Sequence, residues 1–120
     1  MTLKVIDISS HQSVEQAGMD GIDGVIVKAT QDVTYINPKC DPQYQLAKSK
    51  GRLLGVYHYA GGGDPVAEAD FFLKNIKGYI HEAVLALDWE AGQNASWGDS
   101  SWCRRFVNRV HEKTGVWCLI

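Results

Sequence analysis

Five short apolar runs, at residues 3–8, 24–29, 53–59, 83–88 and 116–120, alternate along this chain with segments that carry helix signals. Runs of this length, rich in Val, Ile and Leu, suit strands covered on both faces. Strands that alternate with helices imply parallel pairing through crossover connections. The pattern therefore predicts an α/β fold built on a parallel sheet. At 120 residues, 45% of them hydrophobic, the chain suits one domain, residues 1–120, with a real core.

The helix signals are specific. Asp41-Pro42 reads as an N-cap followed by a proline at the first helical position, and Gly51 supplies a stop. Asp64-Pro65 repeats that start, and Val66, Ala69, Phe72, Leu73 and Ile76 then share one helical face. Asp99 or Ser100 can cap a third helix whose stripe is Cys103, Phe106, Val107 and Val110 and which ends at Gly115. Residues 13–20 can hold a short helical turn. Gly61-Gly62-Gly63 follows the third strand, but no Lys-Ser/Thr comes after it, so it reads as a permissive loop rather than a phosphate cradle.

The fourth run ends in Leu87-Asp88-Trp89-Glu90. Two carboxylates two residues apart on a strand point to one face, with Cα atoms about 6.6 Å apart. At the C-terminal end of a parallel strand they face the ligand side of the fold. Val84, Ala86, Asp88 and Glu90 share one parity, and Leu85, Leu87 and Trp89 the other. Asp7 ends the first strand on the face of Leu3 and Val5. If the small residues point inward and the leucines face the helices, Asp7, Asp88 and Glu90 converge. Crowded carboxylates repel, so at least one pKa should rise, as a general acid needs.

Composition narrows the function classes. The net charge is −2 and no basic run or zinc-finger spacing is present, so nucleic acid is not an expected partner. Arg104, Arg105, Arg109 and Lys113 read as a solvated helix face. No stretch has the length of a membrane span, and the N-terminus lacks a signal-peptide pattern, so synthesis in the cytoplasm without a signal peptide is expected. The three cysteines, Cys40, Cys103 and Cys118, are odd in number and read as free thiols. No cofactor and no metal are expected.

Four motifs stand in register: Ile6-Asp7-Ile8-Ser9-Ser10-His11-Gln12, Val25-Ile26-Val27-Lys28-Ala29-Thr30-Gln31, Gly55-Val56-Tyr57-His58-Tyr59 and Leu87-Asp88-Trp89-Glu90. Together they resemble the glycoside hydrolase family 25 muramidases, the lysozymes of many phages and bacteria. The resemblance implies a modified, TIM-like (β/α) barrel, incomplete here, with about five parallel strands. It implies a peptidoglycan hydrolase that cleaves the β-1,4 bond between N-acetylmuramic acid and N-acetylglucosamine, acting on the bacterial cell wall after release or export. On the matching positions Glu90 would be the general acid. Asp88 would stabilise the transition state or orient the substrate's acetamido group, and Asp7 would position substrate. Lys28 and Tyr57 would contact sugar.

Other positions carry weaker expectations. His58 reads as a satisfied core histidine, His11 as a loop cap or a rim residue, and Trp89 and Trp97 as core more than as sugar platforms. The resemblance covers roughly two-thirds of a family catalytic domain, with no wall-binding domain, and a late acidic residue of the family has no counterpart. Strands 1 and 5 are then expected to be open edges that favour homo-oligomers. A non-catalytic peptidoglycan-binding or assembly fragment is the second functional reading.

Overall fold

A computed structural model describes residues 2–120. Its strands are β1 (Val5–Ile8), β2 (Gly24–Gln31), β3 (Tyr35–Ile36), β4 (Leu53–Tyr59) and β5 (Val84–Asp88). Its helices are α1 (Cys40–Ser49), α2 (Pro65–Asn75) and α3 (Ser100–Thr114), and a 3-10 turn covers Val14–Gly18. The sheet order is β1-β2-β4-β5, parallel throughout, with β3 added antiparallel to the end of β2. The α/β fold with parallel strands agrees with expectation. The sheet is open, not closed into a barrel.

Strand parity decides the two faces. On one face Val25, Val27, Val56, Leu85 and Leu87 are buried, and with Tyr44, Phe72, Trp102 and Phe106 of the three helices they form the core. On the other face Val5, Leu53 and Val84 are about half exposed. The helices thus cover only one side, and the concave side carries the cleft described below.

Local chemistry sets the helix ends. Asp64 accepts hydrogen bonds from the amides of Val66 (2.9 Å) and Ala67 (3.4 Å), with Pro65 opening α2 as expected. Asp99 caps α3 through the Ser101 amide at 3.0 Å, and Gly115 ends that helix in the left-handed region at φ 76°. The face of α2 is shifted from expectation: Val66 is exposed and Glu68 is buried. In α3 Trp102 joins the buried stripe and Val107 is only half-buried.

Three expectations are corrected. First, α1 starts before Asp41, with Lys39 at the cap position. Asn37 turns the chain there, accepting from the Lys39 amide at 2.9 Å through its side chain and from the Cys40 amide at 3.1 Å through its carbonyl. Pro42 is then the third helical residue, where its missing N–H is still one of the unpaired first-turn donors. Asp41 instead accepts from the Tyr79 hydroxyl at 2.6 Å. Second, residues 116–120 form no strand. They meet β5 only at the parallel bridge between Leu119 and Ala86, with bonds from Leu87 N to Leu119 O (2.8 Å) and from Leu119 N to Leu85 O (2.9 Å). Upstream, Trp117 is stacked on His111 of α3 at 3.7 Å, which keeps that part of the chain on the helix. Third, β3 is an unexpected two-residue strand, too short to leave a periodic signal.

The three cysteines are all free thiols, as expected. Among the described residues no helix is long and apolar enough to cross a membrane.

Candidate active site

Each cleft residue arrives by the same parity. Asp7 of β1 pairs with Ile26 of β2, Tyr57 of β4 pairs with Ala86 of β5, and Asp88 closes β5. Glu90 follows two residues later. All six side chains project to the concave face and line one cleft of about 220 Å³, at the C-terminal ends of the strands. The two edge strands, β1 and β5, therefore bring their carboxyls to the same space.

The electrostatics follow from the crowding. Asp88 is pushed up to about 7, by burial first, then by its hydrogen bond to Glu90 and by the charges of Glu90 and Asp7; Lys28 opposes the rise. A hydrogen bond between two carboxyls requires one proton between them, so the pair keeps a proton near neutrality as a joint property. The expected rise thus falls on Asp88. Burial pushes the Tyr57 hydroxyl upward as well, reinforced by Asp7, Asp88 and Glu90, which keeps it a neutral donor.

Lys28 stands beside this cleft, not in its lining. Its ammonium lies 5.0 Å from the centroids of both Tyr35 and Tyr59 and donates to Gln31 Oε1. Burial lowers its pKa, against the attraction of Asp88 and Glu90. His11 is also outside the cleft lining, and its amide donates to Ser9 Oγ at 3.2 Å.

His58 faces the helices and is fully buried. Its Nε2 lies 2.8 Å from Glu68 Oε1 and its Nδ1 lies 2.7 Å from Thr30 Oγ1. A neutral ring donating to Glu68 and accepting from Thr30 satisfies both contacts. This is a core histidine, as expected. Burial lowers its pKa, against the hydrogen bond and charge of Glu68.

The loop behind β4 is held by the same carboxylate. Glu68 accepts from the amides of Gly61 and Gly63, each at 2.9 Å, and Trp102 Nε1 donates to Gly63 O at 2.8 Å. A Cβ at Gly62, which has φ 83°, would lie 2.4 Å from Asn94 Oδ1 and from the Ser96 amide. The glycines let this loop touch residues 94–96, the segment that follows Glu90. Asn94 in turn donates to Glu90 O at 3.0 Å. Trp89 packs between Trp97 and Trp102, at 5.8 and 5.3 Å, on the helix side. Trp97 itself is 55% exposed, which corrects the expectation of a core residue: it caps the end of this aromatic stack.

Sequence reasoning missed Gln31, Tyr35, Tyr59 and Gln93. Gln31 Nε2 donates to Gln93 Oε1 at 2.9 Å, and the Tyr59 hydroxyl donates to Gly92 O at 2.7 Å. Alternation alone puts Gln31 on the opposite face from Lys28. The register shift in β2 between Lys28 and Thr30 reverses that, and no residue type in the run announces it.

An open parallel sheet with helices on its convex face and an acidic cleft at its carboxyl strand ends is the layout of a (β/α)-barrel scaffold. Residues 6–120 match the model of glycosyl hydrolases family 25, and the chain belongs to that family. It is 34% identical over 99% of its length to an N,O-diacetylmuramidase of a Chalaropsis species, covering 65% of that protein. It is 34% identical to an autolytic lysozyme of Clostridium acetobutylicum, over 92% of this chain and 36% of the relative. Among solved structures, a muramidase from Trichobolus zukalii superposes with a TM-score of 0.79 at 30% identity, over 98% of this chain and 63% of the other. The chain therefore spans less than two-thirds of the length of these relatives.

Proposed function

We propose that this chain carries the acidic centre of a peptidoglycan hydrolase, one that cleaves the β-1,4 bond between N-acetylmuramic acid and N-acetylglucosamine in bacterial cell walls. The single observation behind this reading is the convergence of Asp7, Asp88, Glu90 and Tyr57 on one cleft. The muramidase and lysozyme names of its relatives support the substrate class. Glu90 donates the proton to the leaving oxygen. Asp88, hydrogen-bonded to it, balances the oxocarbenium-like charge or orients the substrate's acetamido group. Asp7 positions the sugar from the facing strand, Tyr57 donates from the cleft floor, and Lys28 binds at the cleft edge. The glycan strand is the partner, and the wall is the place of action.

A second reading is favoured by the open concave sheet: a fragment that binds peptidoglycan without cutting it. Incubation with purified insoluble peptidoglycan separates the two. Release of soluble reducing ends supports the hydrolase, and co-sedimentation without release supports the binding fragment.

The same open sheet predicts self-association. Among the described residues β1 pairs only with β2, and Leu3, Val5, Leu53, Val84, Leu119 and Ile120 expose 48–71% of their surface. Sedimentation velocity of the 120-residue chain should give a species larger than 13.3 kDa that grows with concentration. A monomer at all concentrations contradicts this.

A further inference from the structure

We propose that Gln31 is a positioning residue: it holds the Lys28 ammonium between the Tyr35 and Tyr59 rings, back from the Asp88–Glu90 pair, and anchors the loop behind Glu90. The role rests on the reading of Asp88 and Glu90 as the working carboxyl pair.

The backbone makes the arrangement possible. In a regular strand, residues three apart face opposite sides. The bulge at Ala29 inserts one residue, so Lys28 and Gln31 return to the same face while Thr30 turns toward His58. Gln31 then works in two directions. Its Oε1 accepts from Lys28 Nζ, and its Nε2 donates to Gln93 Oε1 at 2.9 Å. Gln93 sits at φ 58°, a left-handed conformation that a non-glycine residue keeps only when its surroundings hold it. The Tyr59 hydroxyl secures Gly92 beside it. Two side chains from β2 and β4 thus fix the start of the loop that leaves Glu90.

The charge consequence is specific. Asp7 of β1, Lys28 of β2 and Tyr57 and Tyr59 of β4 are the charged and titratable groups coupled to the pair, Tyr35 of β3 stands against the Lys28 ammonium, and Asp32, just beyond β2, acts on His58. Lys28 is the one cation whose attraction acts on Asp88, and it makes no ion pair within 4.0 Å of a carboxylate among the described residues. Its cation–π contacts and the neutral Gln31 amide satisfy it without neutralising the pair. Without Gln31, the carboxylates whose charges draw the half-buried ammonium are Asp88 and Glu90. An ammonium placed on them favours their ionised form and strips the pair of its proton.

The test is a carboxyl-carbon NMR titration of Asp88 in the 120-residue chain. Gln31→Leu should lower the Asp88 midpoint by about one unit, a tenfold loss of proton affinity. In a Lys28→Met background the same substitution should have no effect on the midpoint. Gln31→Glu, which still accepts from Lys28, should leave the midpoint unchanged or higher. Gln31→Asn shortens the reach by one methylene and should reproduce the leucine result if leucine does not fold. An unmoved midpoint in a folded Gln31→Leu or Gln31→Asn chain overturns the proposal, as does an equal fall in the Lys28→Met background. The titration reads out whether or not the chain cuts peptidoglycan. A silent wall assay with the predicted shifts rejects the hydrolase reading alone, and wall cleavage with an unmoved midpoint rejects the role of Gln31 alone.

Discussion

Glu90→Gln is expected to lower turnover on purified peptidoglycan by about 10²-fold or more while wall binding survives. Glutamine has nearly the same shape as glutamate and still reaches into the cleft beside Asp7, Tyr57 and Asp88, so contacts to sugar persist. What it cannot do is deliver a proton to the leaving oxygen. The substitution also removes the carboxyl whose hydrogen bond and charge raise Asp88, so the Asp88 midpoint should drop below about 7. In the parent, turnover should fall as pH rises through about 7, because the pair then gives up the proton it needs. Steady-state assays across pH, paired with a pelleting assay for binding, check all three. Near-parental turnover in the variant would refute the role assigned to Glu90.

The second large effect lies on the other face of the sheet. Glu68→Leu should destabilise the fold by about 3–5 kcal/mol. Glu68 is fully buried, and its two oxygens satisfy His58 Nε2 and the amides of Gly61 and Gly63. Leucine leaves all three donors buried without acceptors. Acid should weaken the same cluster. Burial opposes ionisation of Glu68, but the His58 bond and the two glycine amides outweigh it and hold its pKa below the usual 4.5. That contribution is present above about pH 4.5 and is lost as pH falls through the folded-state value. His58 is held below 6.5, so below that pH the unfolded chain takes up a proton that the folded chain refuses. Both terms have one sign. Denaturant midpoints should fall steadily as pH drops from about 6.5; in Glu68→Leu the part of the fall that Glu68 contributes, below about pH 4.5, should be absent, while the His58 part, which Glu68 opposes in the parent, should persist. A variant as stable as the parent contradicts this account of the loop.

The sequence carried much of this in plain form. Strand parity alone places Asp7, Asp88 and Glu90 on one face, because a period of two leaves no freedom once the leucines are assigned to the core. Asp64-Pro65, Asp99 and Gly115 marked helix ends through local hydrogen bonds that need no tertiary context. Asp41-Pro42 misled because Asn37, four residues upstream of Asp41, turns the chain first and a proline is tolerated anywhere in the first turn. Residues 116–120 have strand composition, but the His111–Trp117 stack competes for that segment and only Leu119 reaches β5. Gln31 was illegible for a different reason. A bulge depends on what the neighbouring strands do, and nothing in Val27-Lys28-Ala29-Thr30-Gln31 encodes it locally. Trp97 shows the same limit, since apolar character alone does not say whether a ring ends a stack or fills its middle.

The most direct test of the central claim is the chemical identity of the new chain ends. Purified peptidoglycan is incubated with the protein, reduced with borohydride and hydrolysed, and the reduced sugar is identified. Cleavage by the Asp88–Glu90 pair predicts reduced muramic acid that accumulates with time and is lost in Glu90→Gln. Reduced glucosamine, or ends that appear equally with Glu90→Gln, would contradict it.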